Sequence, residues 1–357
     1  MKLFSDKNVY VLHKWFGLIG GLFLLMLSLT GVVLLYSEPL DRALNPELTQ
    51  VMPAGQRLSV DSLLNVVKKQ YPQAKINGLL LQTENPDWAV VVEASVERKR
   101  LIINQNPYSG IVLGSREREQ TLHRQILKIH EHLTIGEWGH FILFIVGLCL
   151  LGLVATGLWY YRRSLLGVFK IGVRQRNVYL KNSDLHKLVG VCAFLFLLVI
   201  GGTGTFMHWE KVEKMFDEEP KRPEPPAAAI VTTNQANTPL EMLIQKATVT
   251  VPNFVAQYVA FPRDGQGPIA VRGTRPESNR LLGKFTTEVL FDAQSGELKG
   301  VENQEDKDLE AKIEGSMEQI HFGKYGGWFS RLVYALGSLG LAAMTITGFV
   351  IWWKKRR

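Results

Sequence analysis

Cysteine is scarce in this 357-residue sequence: Cys149 and Cys192 are the only two. Both fall within long apolar stretches, which excludes a disulfide framework and a thiolate metal centre and leaves them as small buried hydrophobes. A glycine-rich dinucleotide fingerprint is also missing, so the chain carries no nucleotide-binding module of that kind. The first apolar stretch has no A-x-A-like cleavage site, although Lys2, Lys7 and Lys14 precede it. At 22 residues it reads as a retained span rather than a signal peptide. Charge, finally, is nearly absent from residues 15–36, 141–161, 189–207 and 332–353.

Those four segments turn an ordinary composition (46% hydrophobic, net charge +8) into a blend of two materials. Each holds about 20 apolar residues, enough to cross a roughly 30 Å hydrocarbon core as a helix. The stretches between them are polar and patterned like globular domains. Between the second and third spans lie Arg162, Arg163, Lys170, Arg174, Arg176, Lys181 and Lys187 against the single acid Asp184, and the chain ends Lys354-Lys355-Arg356-Arg357. By the positive-inside rule both cationic segments, and the N-terminus with them, belong in the cytoplasm. The long segments then lie outside the cytoplasmic membrane.

Comparing the chain with itself shows an internal duplication. Leu12-His13-Lys14-Trp15-Phe16-Gly17 opens the first span and Leu185-His186-Lys187-Leu188-Val189-Gly190 the third. Each histidine stands 18 residues before the glycine of a Thr-Gly pair, Thr30-Gly31 and Thr203-Gly204. His130 and His321 likewise stand 27 residues before Gly157 and Gly348, again in Thr-Gly pairs, and both of those spans close on aromatics and cations. The outer segments match more loosely. Each opens with a helical pattern (60–70; 240–248), then a proline-containing turn, then strand-like runs (89–94 and 100–104; 257–261, 268–272 and 286–291), and closes on a turn and strand. Lys-Arg-Pro-Glu-Pro-Pro at 221–226 reads as a flexible leader into the second outer segment.

The expected organisation is therefore a four-helix bundle with two extramembrane α+β domains, span–domain–span repeated once. Its boundaries are a first span at 9–36, a first outer domain at 37–137, a second span at 138–162, a cytoplasmic loop at 163–185, a third span at 186–207, a second outer domain at 208–328, a fourth span at 329–353 and a tail at 354–357.

Eight histidines are present: His13, His123, His130, His132, His140, His186, His208 and His321. An ionisable residue at a span end is costly enough to suggest function. A lone interfacial histidine often only anchors a helix in the headgroups, but two duplicated pairs do not fit that reading. His13 and His186 fall at one depth on the cytoplasmic side, and His130 and His321 fall together on the other. Facing imidazoles without acids or thiols suit a six-coordinate haem iron and suit zinc poorly. Gly17 and Gly190 follow His13 and His186 by one turn on the same face, where a missing side chain makes room for a flat macrocycle or, equally, for close helix contact. On the outer side His132, His140 and His208 remain as alternative ligands. Two bis-histidine haems, one per membrane face, form an electron ladder with irons roughly 20–30 Å apart across the hydrocarbon.

The repeated His/Gly pattern, with His130…Leu133…Gly136…Gly139, His321…Gly323…Gly326 and the four Thr-Gly pairs, resembles the PepSY-associated transmembrane family over almost the whole chain. The resemblance implies PepSY-like outer domains. Some members of the family are similar to bacterial inner-membrane siderophore-iron reductases. Those move electrons through haem b to reduce a ferric siderophore in the periplasm and so release its iron. PepSY domains elsewhere inhibit peptidases, so a membrane regulator or sensor, or a conduit to another periplasmic acceptor, is an alternative. The cytoplasmic loop of about 26 residues is too short for a flavin domain. Electrons would come from a separate cytoplasmic reductase, a free reduced flavin or quinol. Arg98-Lys99-Arg100 and Arg272…Arg275…Arg280 read either as an anion-attracting patch or as cations protecting a sheet edge.

Overall fold

The computed structural model describes residues 5–81, 85–97, 99–163, 165, 167–216, 238–262 and 267–356. Lys2, Arg98, Arg357 and the proline-rich leader at 221–226 lie outside the described residues. In chain order the helices are α1 (Asp6–Leu35), α2 (Ser37–Leu44), α3 (Pro46–Thr49), α4 (Val60–Gln70), α5 (Leu122–His132), α6 (Glu137–Tyr161), α7 (Gly167–Ile171), α8 (Val178–Phe216), α9 (Leu240–Thr250), α10 (Leu309–Phe322) and α11 (Gly327–Lys355). The strands are β1 (Lys75–Leu80), β2 (Val90–Val96), β3 (Lys99–Gln105) and β4 (Val112–Glu117), all before α5, then β5 (Val255–Ala260), β6 (Ile269–Thr274), β7 (Thr287–Phe291) and β8 (Leu298–Asn303) between α9 and α10. The chain divides into a helical unit (Met1–Tyr36, Ile126–Glu218, Met317–Arg357) and a sheet unit (Ser37–Gln125, Glu219–Ser316).

In the helical unit α1, α6, α8 and α11 are each long and apolar enough to cross a membrane. They form a closed ring in which α1 neighbours α6, α6 neighbours α8, α8 neighbours α11 and α11 neighbours α1. Leu24, Val146, Leu150, Val154, Ala193, Leu197 and Leu341 fill its centre. The helices outrun the apolar windows that announce them. α8 has 39 residues, because charged helix formers such as Lys181, Lys211 and Lys214 continue the helical ladder past the point where lipid would exclude them. Part of the loop expected at 163–185 is therefore helical, and its single acid is clamped: Arg174 Nε lies 2.7 Å from Asp184 Oδ2, with Lys187 Nζ 3.6 Å from Oδ1. Cys149 is buried as expected, but Cys192 is exposed, on a face of α8 turned away from the bundle.

The sheet unit departs from expectation. Instead of two separate sheets, the two outer segments build one eight-stranded antiparallel sheet in the order β4-β3-β2-β1-β5-β6-β7-β8. Its seam is the pairing of β1 with β5, Gly78↔Ala260, Leu79↔Val259 and Leu80↔Tyr258. Without that pairing both strands would present bare backbone edges. At the seam the absent side chain of Gly78 leaves room for the Tyr258 ring, whose hydroxyl donates to Glu93 Oε2 at 3.0 Å.

Helices α4 and α9 bury Leu63, Leu64, Val67, Leu243 and Ala247 among inward strand residues that include Leu79, Val92, Ile103, Val259, Val271 and Val289. The two helices cap each other. Asp61 accepts the amides of Leu240 and Glu241, and Glu241 accepts that of Val60 at 3.1 Å. A carboxylate at each N-terminus satisfies orphan N–H groups and complements the helix dipole.

The sheet shows what three of the cations named in the sequence meet. Lys99 on β3 and Arg272 on β6 sit on inner strands, not at an edge. They pair across the ladder with Glu117 of β4 and Glu288 of β7, while Arg275 pairs with Glu277 and Glu305. Such cross-strand ion pairs stabilise the sheet locally.

Candidate functional site

The four histidines singled out by the repeat are docked in one and the same manner. His13 on α1 places Nδ1 2.9 Å from Thr156 Oγ1 on α6. His130 on α5 returns the arrangement, with Nδ1 2.8 Å from Thr30 Oγ1 on α1. In the other half His186 on α8 meets Thr347 Oγ1 of α11 at 3.0 Å, and His321 on α10 meets Thr203 Oγ1 of α8 at 3.0 Å. Every Thr-Gly pair therefore receives one histidine: α6 and α11 take theirs from the neighbouring spans α1 and α8, and α1 and α8 take theirs from the short helices α5 and α10.

The glycine of each pair lies under the ring it receives. A Cβ placed on Gly157, Gly31, Gly348 or Gly204 would stand 3.4, 3.4, 3.3 or 3.0 Å from Cε1 of His13, His130, His186 or His321. Threonine supplies the tether and glycine the space.

The hydrogen-bonding pattern fixes the protons. Each threonine hydroxyl already donates to the carbonyl four residues earlier: Thr30 to Met26 at 2.8 Å, Thr156 to Gly152 at 2.6 Å, Thr203 to Val199 at 2.8 Å and Thr347 to Ala343 at 2.7 Å. With its one proton committed, the hydroxyl can only accept from the imidazole. All four rings are then Nδ1–H tautomers. For His186 a second acceptor gives the same answer, since the Met344 carbonyl lies 3.0 Å from its Nδ1. Nε2 is left with a free lone pair on every ring, the state that a metal-ligating histidine requires.

Those lone pairs belong to rings that lie close together in two pairs. The His13 and His186 centroids are 6.2 Å apart and those of His130 and His321 are 6.4 Å apart. An imidazole–metal bond of about 2.0–2.1 Å plus about 1.1 Å from ring nitrogen to centroid, counted twice, gives roughly 6.3 Å for two imidazoles on one ion. Both pairs meet that spacing, so these residues fit a bis-histidine iron. Thr30 stands 17 residues beyond His13 on α1, and at 1.5 Å per residue the two pairs are roughly 25 Å apart along the helix.

The turns that aim the outer rings explain the glycines after them. Beyond His130 the chain reverses through Leu133 and Thr134, both at positive φ (55° and 63°), and Gly136 at 66°. Gly139 has the His132 carbonyl against the position of its missing Cβ. After His321, Gly323 turns at φ 61°. Left-handed backbone on two non-glycine residues is a cost that tends to be kept where a side chain must be aimed.

The remaining candidates lie elsewhere. Gly17 faces Leu153 (3.7 Å to its Cδ2 from an added Cβ) and Gly190 faces Met344 (3.2 Å to Cε). His140 on α6 and His208 on α8 approach each other with Nδ1 atoms 3.3 Å apart, and the His132 ring lies 5.8 Å from that of His140. His123 belongs to the sheet unit, where it meets Ser37 Oγ at 2.8 Å. The threonine tethers were the functional residues that sequence reasoning passed over. Their signal was the identical spacing of the Thr-Gly pairs from the histidines.

Four apolar helices, with paired and uniformly tethered histidines carried by α1, α8 and the short helices α5 and α10, define a polytopic membrane protein with a paired-imidazole core. Residues 10–355 match the family described as the PepSY-associated TM region, and the chain belongs to that family. It is also similar to a Pseudomonas aeruginosa protein described as uncharacterized protein PA4219, with 23% identity over 251 residues. That match takes in 65% of this chain and 63% of the relative, so the chain spans less than two thirds of the relative's length.

Proposed function

We propose that the protein is a di-haem b electron-transfer protein of the bacterial inner membrane that reduces ferric siderophores in the periplasm. The carrying observation is the pair of imidazole clamps, 6.2 and 6.4 Å between centroids, placed roughly 25 Å apart along α1. His13 and His186 would hold one haem and His130 and His321 the other. Bound haem b supplies a one-electron centre at each face, and two imidazoles leave its iron no open position, which favours electron transfer over oxygen binding. Thr156, Thr347, Thr30 and Thr203 hold the ligating tautomers, and the four glycines admit the rings.

The basic connection and tail support a topology with both termini in the cytoplasm and the sheet unit outside. The two halves are read as copies of one span–domain–span unit, each outer segment PepSY-like. The electron donor is a separate cytoplasmic flavin, reductase or quinol. The acceptor is a ferric chelate, whose iron is released as Fe(II).

The purified protein, made with ample haem, should show a Soret band and a split reduced α-band, and His13→Ala or His186→Ala should each remove about half of the haem. No Soret band would leave a regulator or peptide-binding sensor as the better reading. Mixing the pre-reduced protein with a panel of ferric siderophores should reoxidise it. Reoxidation by none of them would point to another periplasmic acceptor.

A further inference from the structure

Three histidines of the helical unit take no part in the clamps: His132, His140 and His208. We propose that His140 and His208 form an open binding site for a first-row transition-metal dication, at the end of the bundle that holds the His130–His321 pair. The geometry of the contact carries the inference. Their Nδ1 atoms are 3.3 Å apart, longer than a good N–H···acceptor bond. It is also the separation of two ligands on one tetrahedral ion with bonds of about 2.0–2.1 Å, which is roughly 3.3–3.4 Å.

A second observation points the same way. Among the described residues His132 Nδ1 is buried without a hydrogen-bond partner, on a ring whose centroid is 5.8 Å from that of His140. Buried nitrogens rarely go unpaired, and where no protein group serves them an ion or its bound water can.

Among the described residues no group of three or more His, Cys, Asp or Glu side chains is arranged to hold a metal ion. The site is therefore one of two protein ligands, completed by water. It suits an ion in passage rather than a structural metal. Imidazole nitrogens select iron, zinc, nickel or copper over magnesium. The physiological occupant is the Fe(II) released by reduction beside the neighbouring clamp. That identity rests on the proposed reductase reading, whereas the site itself does not.

The test is calorimetric titration of tag-free, full-length, haem-loaded protein in detergent with Zn(II), a redox-inert probe, and Mg(II) for comparison. One Zn(II) per chain is expected, with no Mg(II) binding. His140→Gln and His208→Gln should each weaken Zn(II) binding at least tenfold while haem content stays unchanged. An independent reading on the wild-type protein is a Tm raised by Zn(II) and not by Mg(II). Unaltered Zn(II) binding in both variants, or none in the wild type, overturns the proposal and reduces the contact to a shared proton. Haem loss in the variants also overturns it, by making these histidines haem ligands. Zn(II) binding without any reduction of ferric chelates would sink the reductase reading and leave the site standing.

Discussion

Substituting Gly204 tests the docking scheme where it is tightest. An alanine methyl there would stand 3.0 Å from His321 Cε1, 3.5 Å from Nδ1 and 3.9 Å from Nε2. Carbon atoms rest comfortably at about 3.5–4.0 Å, so the ring must retreat by roughly 0.5–1 Å. It cannot do so freely, because Nδ1 is held 3.0 Å from Thr203 Oγ1, one residue before the new methyl. The retreat stretches that bond, at about 0.5–1.5 kcal/mol, and carries Nε2 out of line with His130. Together these effects should weaken cofactor binding at the His130–His321 clamp by roughly tenfold, a factor worth about 1.4 kcal/mol. The His13–His186 clamp should be untouched. The assay is haem stoichiometry by pyridine haemochrome together with a spectroelectrochemical titration that resolves the two centres. Gly202→Ala is the internal control, since among the described residues nothing lies within 4 Å of its added Cβ. Relieved of glycine's backbone entropy, it should be neutral or slightly more stable. If Gly204→Ala and Gly202→Ala behaved alike in haem content and in both potentials, the docking scheme would be refuted.

Other outcomes follow from the same structure. Thr156→Val keeps the side-chain shape but removes the acceptor for His13 Nδ1–H; it should weaken haem binding at the inner clamp by roughly 10–100-fold, as loss of a histidine's orienting partner does, and the spectroelectrochemical titration checks this. Leu243→Ala, at a fully buried position on α9, should destabilise the sheet unit by roughly 2–5 kcal/mol, read as a lower denaturant midpoint in detergent. The Arg116 guanidinium, 2.7 and 2.8 Å from the two oxygens of Asp41, holds that carboxyl below its ordinary range. A lowered folded-state value means the pair stabilises fully above about pH 4 and loses its effect as pH falls through that value. Acid unfolding of Arg116→Gln should therefore depend less steeply on pH below about 4 than that of the wild type, and an unchanged slope would count against the pair. Gly78→Ala places a methyl inside the Tyr258 ring and should destabilise the β1–β5 seam; faster amide exchange in both strands would show it.

The sequence carried much of this arrangement because membrane helices and repeats leave strong local signals. The four apolar segments marked the spans, and equal intervals from histidine to Thr-Gly pair selected four of eight histidines. Helix α4 falls at Val60–Gln70, where the helical pattern placed it. What was not legible is what depends on partners distant in sequence. Strand β1, Lys-Ile-Asn-Gly-Leu-Leu, carries a glycine and an asparagine that mask its strand character. Its neighbour β5 lies about 180 residues on, as the Gly78↔Ala260 pairing illustrates. Edge-to-edge joining of two meanders leaves no periodic mark. The threonine tethers were likewise hidden, because a Thr-Gly pair in a span looks the same whether its hydroxyl meets a histidine or only its own helix. The approach of His140 to His208 is a tertiary fact of the same kind.

The β1–β5 seam has a consequence for how the protein could be taken apart. A chain severed in the basic connection before α8 would give two fragments, each carrying a four-stranded meander that ends in an open strand, β1 in one and β5 in the other. Each fragment would expose the backbone groups that the other is shaped to receive. Co-produced halves should therefore reconstitute one another by strand complementation. A half made alone should pair with its own copies or aggregate.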